Sequence, residues 1–303
     1  MTDAQKPRRL PDRIREVLRT RHYSLRTEES YLLWIRRFIR FHDRRHPREL
    51  GAREIGAFLT HLAVEAHVAA STQNQALSAL LFLYREVLGQ EVGSLQGVER
   101  ARVPDRVPVV LTRAEVERLF APLEGIPRLM ASLLYGSGLR LLECVRLRVK
   151  DLEFERLQIL VRDGKGEKDR FTILPERLVE PIQRHLERVR LLHDEDLARG
   201  FGAVFLPYAL ERKYPSASRE WGWQYVFPAS RIGIDPRSGA ARRHHVAETV
   251  LQRAVRRAVL EAGIDKPASC HTCATASQPT SSRTVTTFEP CRSFSVIATC
   301  RPR

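Results

Sequence analysis

The spacing of apolar residues over the first 90 positions is the feature that most constrains the fold of this chain. Five apolar residues in the segment YLLWIRRFIRF recur at intervals of three and four, which is the spacing of one helical face. They are Tyr31, Trp34, Ile35, Phe38 and Ile39. The same spacing predicts a helix around Phe58 and another that ends near Gly89. Residues 1–98 are therefore predicted to form a small bundle of three or four amphipathic helices.

Arginines cover the opposite side of the first of these helices and the residues after it. They are Arg36, Arg37, Arg40, Arg44 and Arg45. The whole chain has 51 Lys and Arg against 36 Asp and Glu, a net charge of +15, and this excess favours a polyanionic partner such as nucleic acid. Two interpretations of the arginines stay open, an ordinary solvated face and a face that contacts DNA.

Length and composition exclude several classes of protein. A chain of 303 residues with 43% hydrophobic residues has room for two domains with a core, and no apolar stretch is long enough to cross a membrane. The charged N-terminus does not resemble a secretory signal, so five Cys do not suggest a disulfide framework. We expect a cytoplasmic, nucleoid-associated protein. An RNA-binding protein is disfavoured because no RNA-recognition motif appears.

Residues 99–111 contain prolines without helical spacing and are predicted to be a linker. Thr112 and Glu115 then form the pattern of a capping box, which starts a second domain over residues 112–272. Alternation over residues 152–175 predicts a β-hairpin whose polar turn is GKGEKDR. Helices are predicted over residues 177–195 and 242–263. The fold class is mainly α with a small β-hairpin or sheet, an α+β fold.

The order of motifs in the second domain carries a resemblance. YGSGLRLLE is followed by KDLEFE, by the hairpin with GKGEKDR, by a helix and by CHT. This order resembles the tyrosine recombinase (phage integrase) family, with a helical N-terminal core-binding domain and a catalytic domain. The segment KYPSASREWGWQYVFPA resembles the insertion of integron integrases, at about residues 200–228.

The resemblance implies a reaction in which a Tyr hydroxyl attacks a DNA phosphodiester and cationic side chains stabilise the phosphorane transition state. Arg140 matches the first catalytic Arg of the family, Lys165 the Lys that protonates the leaving oxygen, and His271 the His of the H-x-x-R box. Two alternatives stay open. Lys168 could be the working Lys, and Arg140 could merely pair with Glu143 or Asp151. No metal or cofactor is required.

The resemblance also implies that DNA is the partner, bound at recombination sites that include folded single-stranded cassette sites, by a homo-tetramer. Several residues are candidate DNA contacts for their charge or for aromatic stacking on bases. They are Lys168, Arg170, Lys213, Trp221, Trp223, His244 and His245. The two Trp could equally be core aromatics, and the two His, placed in the predicted arginine-rich helix, could be a surface pair.

The sequence departs from the family pattern after His271. Ala274 stands where the second Arg is expected, and all seven Tyr lie upstream of His271, so no residue matches the nucleophile. Cys270 and Cys273 have the spacing of a metal knuckle, but no second pair stands at finger spacing, so no metal site is predicted.

Residues 273–303 contain eleven Ser and Thr and no Leu, Tyr, Gly, Asp or Lys, which is atypical of a helical domain and predicts a disordered tail. When Cys273–Ser277 are back-translated and the frame is shifted by one base, the codons can encode LRHSF, the missing family motif. A frameshift near codon 272 is our hypothesis. The chain as written is then a truncated, catalytically inactive recombinase or, alternatively, a non-catalytic DNA-binding remnant or dominant-negative partner.

Overall fold

A computed structural model describes residues 9–90, 100–102, 109–162, 169–207, 210–236 and 238–276. The chain divides into two compact units, Met1–Arg106 and Val107–Arg303. This division lies within residues 99–111, where the linker is predicted. Each unit has a hydrophobic core of its own.

The first unit is a helical bundle. Its helices are α1 (Leu10–Thr20), α2 (Leu25–Phe41), α3 (Ala52–Val64) and α4 (Ala70–Phe82), and α4 continues as a π-helical turn over Leu83–Leu88. Gly89 then ends the helix with a left-handed φ of 65°. Ser24 caps α2, because its hydroxyl accepts the main-chain N–H of Thr27.

The predicted apolar face of α2 is the face that packs into the core of the first unit. Trp34, Ile35 and Phe38 are all buried there, and Phe38 packs edge-on against Phe58 of α3. Tyr84 is buried as well and donates a 2.9 Å hydrogen bond to the Pro47 carbonyl. The helical spacing in the sequence therefore identified the core of this unit.

The second unit is also mainly helical, with two small antiparallel sheets. Its helices are α5 (Arg113–Phe120), α6 (Gly125–Ser137), α7 (Leu141–Val145), α8 (Val179–Ala198), α9 (Leu210–Lys213), α10 (Glu248–Glu261) and α11 (Cys270–Ala276). Its strands are β1 (Leu152–Glu153), β2 (Gln158–Val161), β3 (Arg170–Ile173), β4 (Gly233–Ile234) and β5 (Ala241–Arg242). This architecture confirms the predicted fold class.

The first sheet has the strand order β1-β2-β3 and contains the predicted hairpin. Val161 pairs with Arg170 and Gln158 pairs with Ile173, so all four residues of β2 are paired with β3. The second sheet consists of β4 and β5 alone.

The loop between α6 and α7 depends on two glycines. Gly138 ends α6 with a left-handed φ of 63°, a conformation that favours glycine. At Gly136 the reason is space, because a Cβ there would lie 2.5 Å from Cγ of Pro175, which follows β3. The end of α6 and the exit of the hairpin are therefore in close contact.

Of two helix starts expected from the sequence, the first is confirmed and the second is wrong. Thr112 and Glu115 do form the capping box that starts α5. The helix predicted over residues 242–263 is wrong at its start, because α10 begins at Glu248 and residues 241–242 form β5. A buried ion pair holds Arg243 to Asp196 and a partly buried one holds Arg242 to Glu211, and these contacts override the local helical pattern.

The last described helix of the second unit, α11, runs to Ala276, and Cys273 on it is buried in the core of this unit. Its last four residues belong to the segment 273–303, for which the sequence predicts a disordered tail, and this prediction is wrong for residues 273–276. Residues 277–303 of the tail lie outside the described residues. Among the helices that the structure describes, none is long and apolar enough to cross a membrane.

Candidate functional site

Arg140 lies at the N-terminal cap of α7, directly after the glycine turn that ends α6. Glu143, in the first turn of α7, accepts a 2.8 Å hydrogen bond from the main-chain N–H of Arg140 and a 2.7 Å bond from its Nη1. The Arg140 side chain is nevertheless 51% exposed. Its guanidinium is therefore held at one edge and open to solvent elsewhere.

Glu143 has a second cationic partner. Nη2 of Arg170, on β3, donates a 2.8 Å hydrogen bond to Oε2 of Glu143. The Glu143 side chain is only 9% exposed, so the two arginines share one nearly buried carboxylate. The three side chains together keep a net charge of +1, and this charge suits the binding of an anion such as a phosphate.

Asp151, the other acidic residue with which Arg140 could pair, is bonded to two other arginines. Asp151 is buried, accepts a 2.7 Å hydrogen bond from Nε of Arg162 and accepts the main-chain N–H of Arg148. Arg140 therefore pairs with Glu143. This pairing leaves part of the guanidinium accessible and does not remove the side chain from a role in anion binding.

Strand β3 of the hairpin lies beside the end of α6 and beside Glu143. Thr172 Oγ1 donates a 2.6 Å hydrogen bond to the carbonyl of Ser137, the last residue of α6. The candidate residues Lys165 and Lys168 lie in the segment 163–168, outside the described residues. The strand that follows this segment is thus fixed beside Arg140 through Arg170 and Thr172.

His271 lies on α11, which packs against α6, the helix that leads to Arg140. The His271 residue is exposed, whereas its neighbours Cys270 and Thr272 are buried. The structure thus assigns His271 to the solvent side of α11.

Cys270 and Cys273 are core side chains of the second unit. Burial raises the pKa of Cys270 to about 11 and that of Cys273 to about 12, so both thiols are protonated near neutral pH. Within the part of the chain that is described, no group of three or more His, Cys, Asp or Glu side chains is arranged to hold a metal ion.

The region of the predicted insertion is built around Arg148. This buried guanidinium donates hydrogen bonds of 2.6 Å to the Trp223 carbonyl and 2.8 Å to the Phe205 carbonyl, and it lies 4.6 Å from the centre of the Tyr225 ring. Val204, Leu206, Ala217 and Tyr225 form a small core of their own. The sequence analysis missed Arg148, and no local pattern distinguishes it from the other arginines.

The two tryptophans are both half-buried, in different surroundings. Trp221 packs on the main core of the second unit, with the Arg190 guanidinium 5.0 Å from its ring centre. Trp223 packs on the insertion core, and the amine of Lys150 lies over its ring. Burial, followed by repulsion from Arg162, lowers the pKa of Lys150 to about 8.

His244 and His245 do not lie on a helix but on the extended chain after β5. The His244 ring stacks on Tyr225, with ring centres 5.6 Å apart and planes within 6°, and its Nδ1 accepts the main-chain N–H of His245. Burial is the main cause that lowers the pKa of His244 to about 4, and repulsion from His245 and Arg146 adds to it. Both imidazoles are therefore neutral near pH 7, since the pKa of His245 is also lowered by burial.

Lys213 is the last residue of α9 and is exposed, as is the adjacent Tyr214. Its amine lies 5.3 Å from the centre of the Tyr214 ring. Tyr214 is 48% exposed, which makes its ring more accessible for stacking than the half-buried Trp221 and Trp223.

The first unit has a polar groove of about 830 Å³ between α2 and α4. Nine of the ten lining side chains carry only a hydroxyl or an amide as polar group, and the tenth is Arg26. The residues of α4 include no charged side chain, although 29% of the whole chain is charged. This groove therefore differs in chemistry from the arginine-rich side of α2.

Comparison with known proteins matches both units to models of phage integrases. Residues 10–94 match the family model "Phage integrase, N-terminal SAM-like domain", and residues 109–276 match "Phage integrase family". An "Integrase/recombinase" of Escherichia coli is 51% identical over 261 residues, which are 86% of this chain and 77% of that protein. The tyrosine recombinase XerA of Thermococcus kodakarensis is 34% identical over 53% of this chain and 55% of its own length.

Solved structures show the same fold. A lambda integrase (75–356) dimer bound to a COC' core site superimposes with a TM-score of 0.57 and 17% identity, covering 88% of this chain and 83% of that one. A lambda integrase tetramer bound to a Holliday junction gives a TM-score of 0.58 and 15% identity, covering 88% and 68%. With the family model matched over more than half of its residues, the chain belongs to the phage integrase family, the tyrosine recombinases of site-specific DNA recombination.

Proposed function

We propose that this protein binds the recombination sites of integron gene cassettes and holds a DNA phosphate at Arg140, Lys165 and His271 without completing strand cleavage. The observation that carries the proposal is the Arg140 site. Its guanidinium is half exposed and fixed by Glu143, and its charge is not cancelled because Glu143 is shared with Arg170. A guanidinium that is partly exposed and keeps its charge can bind two oxygens of one phosphate.

The absence of cleavage follows from the residues after His271. Covalent catalysis needs a nucleophile, and no Tyr follows His271 in the sequence, while Ala274 replaces the expected Arg. The match to the family model ends at residue 276, which supports a frameshift as the origin of the remaining residues. Resequencing the coding DNA across codons 268–303 tests this origin, because an intact frame with no missing base would contradict it.

The test of the catalytic proposal is a nicked suicide duplex in which cleavage traps a covalent protein–DNA adduct. We expect the full chain to bind this duplex and to form no adduct that survives denaturing electrophoresis. An adduct would overturn the proposed inactivity. Binding without an adduct that also blocks an intact integrase in the same reaction would support the alternative role of a dominant-negative partner.

The groove between α2 and α4 is our candidate for base recognition in the first unit. Hydroxyls and amides can form hydrogen bonds to the edges of bases, whereas contacts to phosphates carry no direct sequence information. Gln75 is exposed in this groove, but the amide of Asn74 is occupied by both main-chain groups of Ala101. Gln75→Ala is expected to reduce discrimination between DNA sequences more than it reduces overall affinity.

The insertion is our candidate for recognition of folded single-stranded cassette sites. Trp223 and Tyr214 are partly or largely exposed aromatics beside the cations Lys150 and Lys213, a combination suited to base stacking. Tyr214→Ala should weaken binding to a hairpin with extrahelical bases more than binding to a perfect duplex. Equal losses on both DNAs would contradict this role.

Assembly and location are part of the same proposal. One structural relative is described as a tetramer bound to a Holliday junction, and we propose a tetramer for the intact form of this protein. We propose that the present chain assembles poorly, because the sequence after residue 276 has no match to the family model. A cytoplasmic, nucleoid-associated location follows from binding chromosomal DNA.

A further inference from the structure

We infer that Arg170 is a positioning residue that keeps Arg140 available to a phosphate, and that Arg170 does not itself bind DNA. This inference rests on the proposed role of Arg140 as a phosphate ligand. In the sequence Arg170 is a candidate DNA contact because of its charge, and the inference replaces that role. The carboxylate of Glu143 connects the two arginines.

The first support is the geometry around Glu143. Oε1 of Glu143 accepts Nη1 of Arg140 at 2.7 Å, whereas Oε2 accepts Nη2 of Arg170 at 2.8 Å and the main-chain N–H of Arg140 at 2.8 Å. Each of the two guanidinium groups therefore has its own carboxylate oxygen. Glu143 cannot turn fully toward Arg140 unless it gives up Arg170.

The second support is the orientation of Arg170. Its Nη2 is directed to Glu143, and its Nη1 is buried without a hydrogen-bond partner among the residues that the structure describes. The side chain is 37% exposed, against 51% for Arg140. The end of the Arg170 guanidinium thus faces the protein, and the more open cation of the pair is Arg140.

The third support is electrostatic. Without Arg170, Glu143 and Arg140 would form a neutral pair. An incoming phosphate would then compete with a bidentate carboxylate for the guanidinium of Arg140. With Arg170 in place, the cluster keeps a charge of +1, and one oxygen of Glu143 is already neutralised. Because Glu143 is nearly buried, solvent screens these interactions only weakly.

The fourth support is that the main chain at Arg170 is held in place by strand pairing. It is the first residue of β3 and pairs with Val161 across the hairpin, and Thr172 two residues later is bonded to the end of α6. A guanidinium held by its strand can fix Glu143, and through it Arg140, before DNA arrives. Such preorganisation reduces the cost of binding.

The test is a set of variants of the full chain, titrated into a short fluorescein-labelled DNA duplex and followed by anisotropy. Arg140→Gln should weaken binding about tenfold, the effect of one lost charge-assisted hydrogen bond or slightly more. Arg170→Gln should weaken it by a similar factor, and Arg140→Gln should have no further effect in that background. Arg170→Lys, which keeps a cation for Glu143, should stay within about twofold of the unmodified chain.

Rescue by a second substitution separates positioning from direct contact. In Arg170→Gln combined with Glu143→Gln no carboxylate remains to neutralise Arg140, so affinity should return to about the value of Glu143→Gln alone. If Arg170 contacts DNA directly, the losses from Arg140→Gln and Arg170→Gln will multiply and Glu143→Gln will not rescue, which overturns the inference.

A different result would identify failure of the underlying proposal. If Arg140→Gln leaves DNA affinity unchanged, Arg140 is not a phosphate ligand, and the inference falls together with that role. Circular dichroism and urea midpoints of each variant serve as the folding control. The double variant leaves no nearly buried carboxylate with a missing partner, and the charge that remains, on Arg140, is half exposed, so the double variant remains informative even if Arg170→Gln alone is unstable.

Discussion

Thr172 and Ser137 are joined by a 2.6 Å hydrogen bond, which the Thr172 hydroxyl donates to the Ser137 carbonyl. The bond ties β3 of the hairpin to the last residue of α6. The chain enters the Arg140 turn directly after Ser137, so this contact fixes the hairpin relative to the candidate phosphate site.

Replacing the Thr172 hydroxyl tests that contact. Thr172→Val keeps the shape of the side chain but leaves the Ser137 carbonyl without this donor, and we expect a loss of about 1 kcal/mol in the free energy of unfolding. Urea denaturation measures it. Thr172→Ser retains the donor and serves as the control, so a loss in Thr172→Val no larger than that in Thr172→Ser would contradict a stabilising role for the hydrogen bond.

Gly136→Ala should destabilise the second unit, although alanine is the better helix former. Helix propensity alone would favour the substitution by about 1 kcal/mol. The new Cβ would lie 2.5 Å from Cγ of Pro175, so the chain must shift, at a cost of about 1–3 kcal/mol. Thermal denaturation measures the net effect. Combining it with Pro175→Ala removes the clash and should restore stability; if it does not, the clash is not the cause.

Arg148→Met should disrupt the insertion. The substitution removes the donors to the carbonyls of Trp223 and Phe205 in a buried place, and we expect a loss of about 3 kcal/mol. Tryptophan fluorescence during urea denaturation reports the change because Trp223 is one of the residues held. Arg146→Met is the matched control, since Arg146 is exposed two residues earlier. Similar losses in both would show that charge, and not the buried hydrogen bonds, matters.

Acidification should destabilise the second unit between pH 6.5 and about 4. The pKa of His244 is lowered from 6.5 to about 4, so below pH 6.5 the unfolded chain binds a proton that the folded chain does not. The contribution of neutral His244 is complete above pH 6.5 and is lost as the pH falls. His185, His193 and His245 shift in the same direction.

Urea midpoints on both sides of pH 6.5 measure this dependence. His244→Gln should make the midpoint less sensitive to pH, because one of the titrating groups is gone. His22→Gln, an exposed position in the first unit, should leave the pH dependence as it is. An unchanged dependence in His244→Gln would refute the assignment.

Local patterns in the sequence determined much of this protein. The apolar spacing around Phe38 located the core face of α2, alternation located the β2–β3 hairpin, and Thr112 with Glu115 marked the start of α5. These features depend on residues within one or two turns of each other, so the sequence displays them directly. The order of motifs around Arg140 indicated the family for the same reason.

Only the tertiary structure decided which distant side chains meet. Arg170 reaches Glu143 across 27 positions, and Arg243 reaches Asp196 across 47, a buried pair that keeps His244 out of the predicted helix. No pattern within a short window selects one of many acidic residues as the partner of a given arginine. Packing makes that choice, because a charged side chain is buried at low cost only where the folded chain places an opposite charge or hydrogen-bond partners beside it.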